Sequence, residues 1–413
     1  MNAAAAAETA ARHSYGRLLA WLAWQWRDVA AAEDALADAF ADALERWPLD
    51  GVPASPDAWL LTAARRRLLM AARRQRLGDD PALTILWPGE HEPAPDAPPL
   101  PDTRLRLMFV CAHPAIDSSV HSALMLQTVL GLDAARIASA FLVKPETMTK
   151  RLVRAKAKIR AAGLRFEEPE PPEWPERLAS VLEAIYGAYT LHWGQADDTG
   201  SGQLAAEAVF LAELVAAHLP GEPEALGLAA LLWLCEARRP ARRDVFQPLH
   251  EQDPRDWDHA SIARANAALL HAATHRSAGP FQLEAAIQAA HVHGVIEGAV
   301  PWDGIARLYE QLLALAPTVG ARIAHAVAVA HAAADPRAGL RLLDAIEQTR
   351  IASHQPWWAA RAHLMSMAGD PAEAVTAYGR ALALTVEPRL RAWIEKRRLA
   401  AAAASPAGAR DAS

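Results

Sequence analysis

Three blocks of charge carry the chemistry this sequence can be seen to offer. Residues 144–165 hold eight lysines and arginines against one acid, Glu146. Residues 64–76 hold six arginines and no acid. Residues 28–57 hold eight acids, from Asp28 to Asp57, and one base, Arg46. Basic stretches of this kind meet phosphates, and an acidic stretch meets a basic partner. Each block taken alone is also what a solvated helix face would show. Residues 1–166 carry 21 bases and 18 acids, a net charge of +3. The rest carries 21 and 30, a net charge of −9, so the overall −6 hides a division of labour.

The most specific pattern surrounds the last basic block. Asp133 can cap a short helix, and Val143-Lys144-Pro145 breaks it. Pro145 suits the first turn of the next helix. There Met148, Leu152, Ala155 and Ile159 share one face, while Lys150, Arg151, Arg154 and Lys158 share another. A short helix, a tight turn and a longer basic helix match helix-turn-helix geometry, whose second helix enters the major groove. The alternative is an ordinary amphipathic helix with a solvated basic face.

Enzyme chemistry is poorly supplied. The chain has no phosphate-binding loop, dinucleotide turn, nucleophile elbow or His-Glu-x-x-His motif. His271 and His275, His291 and His293, and His325 and His331 invite a metal reading. Only Glu284 and Glu297 offer to complete a shell, so these histidines read as helix-surface or core residues. The Trp21, Trp24, Trp26 cluster and Trp357-Trp358 read as core. No metal and no cofactor is expected. Two cysteines, Cys111 and Cys235, can build neither a disulfide framework nor a four-thiolate zinc site, which points to a reducing, cytoplasmic setting. No signal peptide and no membrane-spanning stretch is expected.

Elements that position these residues are almost all helical, because Ala, Leu and Arg dominate and alternating β-branched runs are scarce. One or two helices are expected over 15–47, ending before Pro48, and another over 57–76. Residues 78–101 are rich in proline and acid and read as a linker. Helices resume at Asp102 and run to Ala162, with Gly163 as a C-cap. A second proline-rich joint, 166–175, precedes a helical part over 176–400, and the last dozen residues are expected to fray. Near 320–400, Asp335-Pro336 and Asp370-Pro371 open two helices 35 residues apart, near the tetratricopeptide period. Any antiparallel helix pair could show the same spacing.

Several phrases resemble a known family. Pro145 to Lys156 looks like region 4 of bacterial RNA polymerase sigma factors. Ala32-Glu33-Asp34-Ala35 through Phe40 to Trp47 resembles region 2, and Ala58-Trp59-Leu60-Leu61-Thr62-Ala63-Ala64-Arg65 resembles its adjoining −10 segment. Order and spacing are similar to the extracytoplasmic-function (ECF) type. Leu107 to Ala115, Ala184-Ile185-Tyr186, Gln282 to Ile287 and Ala326 to Val329 resemble the branch with a long C-terminal helical extension. The likeness covers residues ~15–400.

The resemblance implies an all-α protein. Residues 10–77 would be region 2, 102–165 a helix-turn-helix region 4, and 176–400 the extension, tetratricopeptide-like near its end. It implies two partners, core RNA polymerase and promoter DNA, with catalysis left to the polymerase. Asp34, Asp38, Phe40, Leu44 and Trp47 would dock on the polymerase, although the three apolar residues could be domain core. Trp59, Arg65, Arg66, Arg67, Arg73 and Arg74 would hold the −10 element, although Arg73 and Arg74 also fit a solvated helix end. Thr147, Lys150, Arg151, Arg154 and Lys158 would read the −35 element. The acidic extension would be a regulatory module that packs on region 2 or 4 or takes a protein partner. Two departures stand out. Family members usually carry Asn and Asp where Arg66 and Met70 stand, which bears on promoter melting. The paired cysteines before His-Pro are reduced to Cys111. A helical-repeat adaptor that no longer initiates transcription is the alternative.

Overall fold

The computed structural model describes residues 3–79, 103–141, 143–162, 173–191, 201–242, 246–347 and 351–404. Among these the fold is all-α, with eighteen α-helices and no strand. The rest of the proline-rich stretch after Asp79, Gly163 with most of the following joint, and the tail beyond residue 404 lie outside the described residues.

The first three helices are α1 (Ala3–Trp26), α2 (Val29–Asp50) and α3 (Pro56–Asp79), and each packs on the other two. Arg27 turns the chain between α1 and α2 at φ 53°, and the Asp28 carboxylate caps α2 by accepting from the Ala31 N–H at 3.0 Å. The buried stripe of α2 is mostly small: Val29, Ala32, Ala35, Leu36, Ala39, Ala43 and Trp47. Small side chains let α2 sit close to Leu18, Leu19 and Leu22 of α1 and Leu60 and Leu68 of α3, all buried. The expected stop before Pro48 is not observed, since α2 runs on to Asp50. Pro48 lies in the last turn, where its missing N–H forfeits a single helical bond. Gly51, at φ 89°, then ends the helix by donating to the Trp47 carbonyl at 3.1 Å.

Four shorter helices follow: α4 (Arg104–Cys111), α5 (Ser118–Thr128), α6 (Ala134–Ala140) and α7 (Pro145–Ala161). Asp117 and Asp133 cap α5 and α6 through the N–H groups of Ser119, Ala135 and Arg136 at 2.9 Å. Pro145 opens α7 as the sequence implies. Cys111 is buried beside Thr128, and burial pushes its thiol up to about 12, so it serves packing.

α8 (Trp174–Leu191) packs on α5 and α4, with His121 Nδ1 and Ser180 Oγ 3.1 Å apart. Arg104 pairs with Glu207 of α9 (Ser201–His218) and lies 4.7 Å over the Phe210 ring. One compact unit therefore includes α1 to α8 and the first part of α9, to Leu211. Its border falls inside α9.

The second unit starts at Ala212. It contains α10 (Pro223–Ala237), α11 (His259–Thr274), α12 (Pro280–Glu297), α13 (Trp302–Leu315), α14 (Val319–Ala332), α15 (Pro336–Asp344), α16 (Gln355–Met367), α17 (Pro371–Ala383) and α18 (Pro388–Ala403). Most of these helices pack on their chain neighbours. Consecutive apolar clusters centre on Leu283, Ile287 and Ile305, then Leu343, Ile351 and Leu364, then Tyr378 and Ile394. Asp335 and Asp370 cap α15 and α17, by accepting from Arg337 N–H at 2.9 Å and Glu373 N–H at 3.2 Å. One contact runs far along the chain: Glu251 accepts from Trp393 Nε1 at 3.2 Å and pairs with Arg397 of α18.

Candidate nucleic-acid interface

The last helix of the α4–α7 group shows how sequence pattern becomes surface. Met148, Leu152, Ala155 and Ile159 of α7 are buried against α2, α5 and α6. Thr147, Lys150, Arg151, Arg154 and Lys158 are exposed together. Their offsets of 0, 3, 4, 7 and 11 place them on one stripe of the helix. That stripe can meet phosphates and base edges without disturbing the core. α6 packs directly on α7, and the described residues of the break between them are Phe141, Val143 and Lys144.

A second surface lies along α3. Trp59, Thr62, Ala63, Arg66 and Met70, together with Asp42 and Arg46 of α2, line an open groove of about 730 Å³. Arg66, Met70 and Arg73 are exposed, and their spacing of four and three residues puts them on one face with Trp59. Indole, methionine and guanidinium together suit stacked bases and phosphates. Trp59 is held from behind by Trp47, whose ring stands edge-on at 5.6 Å and 71°.

The arginine block does not act as one patch. Arg67 donates to Asp38 at 2.9 Å and to Asp42 at 2.7 Å, clipping α3 to α2. The hydrogen bond to Asp42 raises the Arg67 pKa above its ordinary value, with Asp38 adding to it. Arg65 turns toward α1, 5.5 Å over the Trp21 ring. The side chain of Arg74 lies outside the described residues. Arg66 and Arg67 thus both line the groove, Arg66 exposed and Arg67 engaged by Asp38 and Asp42, while Arg73 is exposed further along α3.

The acidic helix divides in the same manner. Asp34 is exposed, and Leu44 is 53% exposed on α2. Asp38 is exposed but engaged by Arg67. Phe40 is half-buried, 6.3 Å from Tyr15. Trp47 is 2% exposed, so its place among the docking residues is corrected: it is core, and it supports Trp59. Leu49, 85% exposed, was not singled out from the sequence.

Two contacts across the first unit also had no sequence signal, because their partners are more than a hundred residues apart. Lys156 Nζ lies 2.5 Å from Glu33, and Arg160 Nε lies 3.2 Å from Asp28. Both bases project from α7 beside its exposed stripe, onto the start of α2.

The histidines do not gather into a metal centre; among the described residues no group of three or more metal donors occurs. His271 and His275 are exposed. The ordered column is one the sequence did not show. His291 stands edge-on to Trp302 at 5.4 Å, Trp302 stacks on His331 at 4.2 Å, and His331 Nε2 meets His363 Nε2 at 3.2 Å. Burial first, then neighbouring cationic groups, lowers His291 and His363 to about 4. Trp357 is core, as read, while Trp24 is 40% exposed and is not.

Comparison with known proteins fits this division. Residues 11–77 match the family model for sigma-70 region 2, and residues 177–273 match a family of unknown function, DUF6596. An uncharacterised protein of Rhizobium meliloti (strain 1021), R00370, is 35% identical over 380 residues, 89% of each chain. No solved structure matches significantly. The chain thus carries a sigma-70 region 2 domain at its N-terminus and a DUF6596 domain beyond it, an arrangement consistent with an ECF-like sigma factor with a long C-terminal extension. Its role is accordingly sigma-factor-like, in transcription initiation with core RNA polymerase and promoter DNA. Among the described residues no helix is long and apolar enough to cross a membrane.

Proposed function

We propose that this chain is an ECF-type sigma factor that binds core RNA polymerase and directs initiation at a restricted promoter set. The observation that carries the reading is the separation of surfaces in the first unit. A basic stripe lies on α7, an aromatic and basic groove on α3, and an acidic face with exposed Leu44 on α2. α6 and α7 act as a helix-turn-helix, with Thr147, Lys150, Arg151, Arg154 and Lys158 on the −35 element. Arg66, Arg73 and Trp59 hold the −10 element. Arg67 braces α3 on α2 within the groove, and Arg65 braces it toward α1. Asp34 and Leu44 dock on the polymerase. Arg66 and Met70 stand where the family usually has Asn and Asp, so strand capture here relies on guanidinium and thioether contacts.

The acidic C-terminal part serves as the regulatory module, built of tetratricopeptide-like helix pairs. Its first helix, α8, packs on α5 and α4, next to the helix-turn-helix. Truncation after Arg165 therefore alters promoter activity at matched abundance.

Co-elution with purified core polymerase tests the docking face. The full chain binds core, and Leu44→Asp loses at least tenfold in affinity while its circular dichroism is unchanged. Undiminished binding by Leu44→Asp would overturn the assignment of α2.

A further inference from the structure

The segment between α10 and α11 is irregular, because Pro240, Pro248 and Pro254 remove the donors and backbone freedom that a helix interior needs. Its middle is a single 3₁₀ turn, Leu249–Glu251, in which the Glu251 N–H donates to the Pro248 carbonyl at 2.9 Å. This short stretch has partners far along the chain. Phe246 stands edge-on to Trp393 of α18, with 5.6 Å between ring centres. Glu251 accepts from Trp393 Nε1 at 3.2 Å and pairs with Arg397, whose guanidinium lies 5.2 Å over the same indole. The turn also packs on α12. His250 is close enough to His291, His331 and His363 for its charge to help lower all three.

Those partners share one side of the second unit. His291, His331, His363 and the Trp393–Arg397 pair come from α12, α14, α16 and α18, every second helix. In a stacked array, alternate helices line one continuous face. Along this face the rings are half-buried and in contact, from His291 through Trp302 and His331 to His363. Flat rings flanked by a guanidinium and an indole N–H suit an aromatic side chain and a carboxylate. Residues 246–251 supply that pair, Phe246 and Glu251, five positions apart. They hold on by side chains, as a bound peptide does. Glu251 and Arg397 are 30% and 42% exposed, and ion pairs so open to water hold weakly. The far end of the segment is fixed separately. Trp257 is buried, and the Asp258 N–H donates to the Ala237 carbonyl at 2.9 Å, so α11 is seated without Phe246 or Glu251.

We infer that this face is a docking site for an extended segment of a partner protein that carries an aromatic ring and, five positions later, a carboxylate, and that residues 246–251 occupy it as a built-in mimic. Arg397 and Trp393 Nε1 take the carboxylate. The Trp393 ring takes the aromatic edge, and the imidazole and indole column underlies the residues between. A partner segment that makes the same contacts displaces the turn. The inference deepens the reading of the C-terminal part as a regulatory module, by giving its partner a chemistry, and rests on that reading for its consequence. Binding itself does not depend on whether the chain initiates transcription.

The probe is a fluorescein-labelled peptide with the sequence of residues 244–252, titrated by anisotropy into the full chain. Phe246→Ala with Glu251→Ala vacates the face. That chain should bind the peptide saturably and at least tenfold more tightly than the parent, whose own segment competes. Adding Arg397→Ala or Trp393→Ala to the vacated chain should cost at least tenfold. A serine-rich peptide that keeps only the Phe, Pro and Glu of the probe should still bind, and moving its Glu by two positions should abolish binding. Circular dichroism checks every variant. If the vacated chain loses helix, Glu251→Gln takes its place, since it keeps the apolar contacts and weakens only the ion pair. The inference is overturned if the vacated chain shows no saturable binding, if the parent binds equally well, or if Arg397→Ala changes nothing. A parent chain that is dimeric by light scattering, and monomeric once Phe246 and Glu251 are replaced, would assign the face to a second copy and overturn the partner. Absence of transcripts in a separate run-off assay would count against the sigma reading, and the peptide arms would still decide docking.

Discussion

Each of the two units of this molecule is held together in its own way. In the first, charged pairs join helices: Arg67 to Asp38 and Asp42 between the neighbours α3 and α2, Arg17 to Asp57 between α1 and α3, and Lys156 to Glu33 and Arg160 to Asp28 across more than a hundred residues. In the second, most helices pack on chain neighbours through alanine-rich apolar faces, and imidazoles and indoles stack between successive pairs. An array of that kind is nearly one-dimensional, with stability a sum of local interfaces. The first unit is a set of separable surfaces joined by contacts that salt and partners can break. The second is joined chiefly through apolar faces, with charged ties such as Arg397–Glu251 and Arg361–Asp344 at their edges.

The sharpest way to break this comparison is to damage one unit and watch the other. Leu343→Ala removes a fully buried side chain from the second unit and should cost about 2–5 kcal/mol. A differential scan should show the drop in one transition only. Equal shifts in both transitions would mean that the units do not unfold separately.

Gly16→Ala tests the first unit in turn. Its methyl group meets the Val129 backbone, which has nowhere to retreat without moving α5. Overpacking of this sort costs about 1–3 kcal/mol. Thermal unfolding should show a lowered first transition.

Acid should act on the second unit through the histidine column. His291 and His363 are lowered from 6.5 to about 4, first by burial. A depressed histidine stays neutral in the folded state while the unfolded chain takes up a proton. Stability is therefore present above about pH 6.5 and is lost as pH falls toward 4. The loss is on the order of 2 kcal/mol for each ring, because every tenfold fall in proton affinity is worth about 1.4 kcal/mol and partial exposure to solvent weakens the effect. His291→Gln with His363→Gln should flatten the pH dependence of the second transition; an unchanged profile would place the acid sensitivity elsewhere.

Salt sharpens the comparison with the smallest effect. Arg154→Ala should weaken promoter binding and reduce the salt slope by about one phosphate contact. Arg67→Ala should leave that slope nearly unchanged and lower unfolding temperature instead, because Arg67 is engaged by Asp38 and Asp42. Identical slopes for the two variants would contradict the division of the arginines.

Much of α7 was legible because helical periodicity separates Met148, Leu152, Ala155 and Ile159 from the basic residues within one element. The caps Asp133, Asp335 and Asp370 were legible for the same reason: a cap is a local bond. The end of α2 was misplaced because the cost of a proline depends on how many turns follow it, and Pro48 has less than one. Arg67 and Arg66 are adjacent and chemically alike. Both line the groove, and only the packing of α3 on α2 shows that Arg67 is engaged by Asp38 and Asp42 while Arg66 is exposed. Trp47 and Leu44 are three residues apart on one helix, yet one is buried and the other exposed, since α3 covers only one flank. Lys156 and Glu33 lie 123 residues apart, and no local pattern pairs them. The resemblance found region 2; the Lys156–Glu33 and Arg160–Asp28 pairs came from three-dimensional packing alone.

The most direct test of the central claim is run-off transcription with purified core RNA polymerase, with and without the full chain, on a genomic fragment library at low salt. Low salt favours the phosphate contacts on which capture depends. The expected result is a discrete set of new transcripts sharing −35 and −10 elements, lost with Lys150→Ala and Arg154→Ala combined. Neither transcripts nor binding to core polymerase would contradict the account.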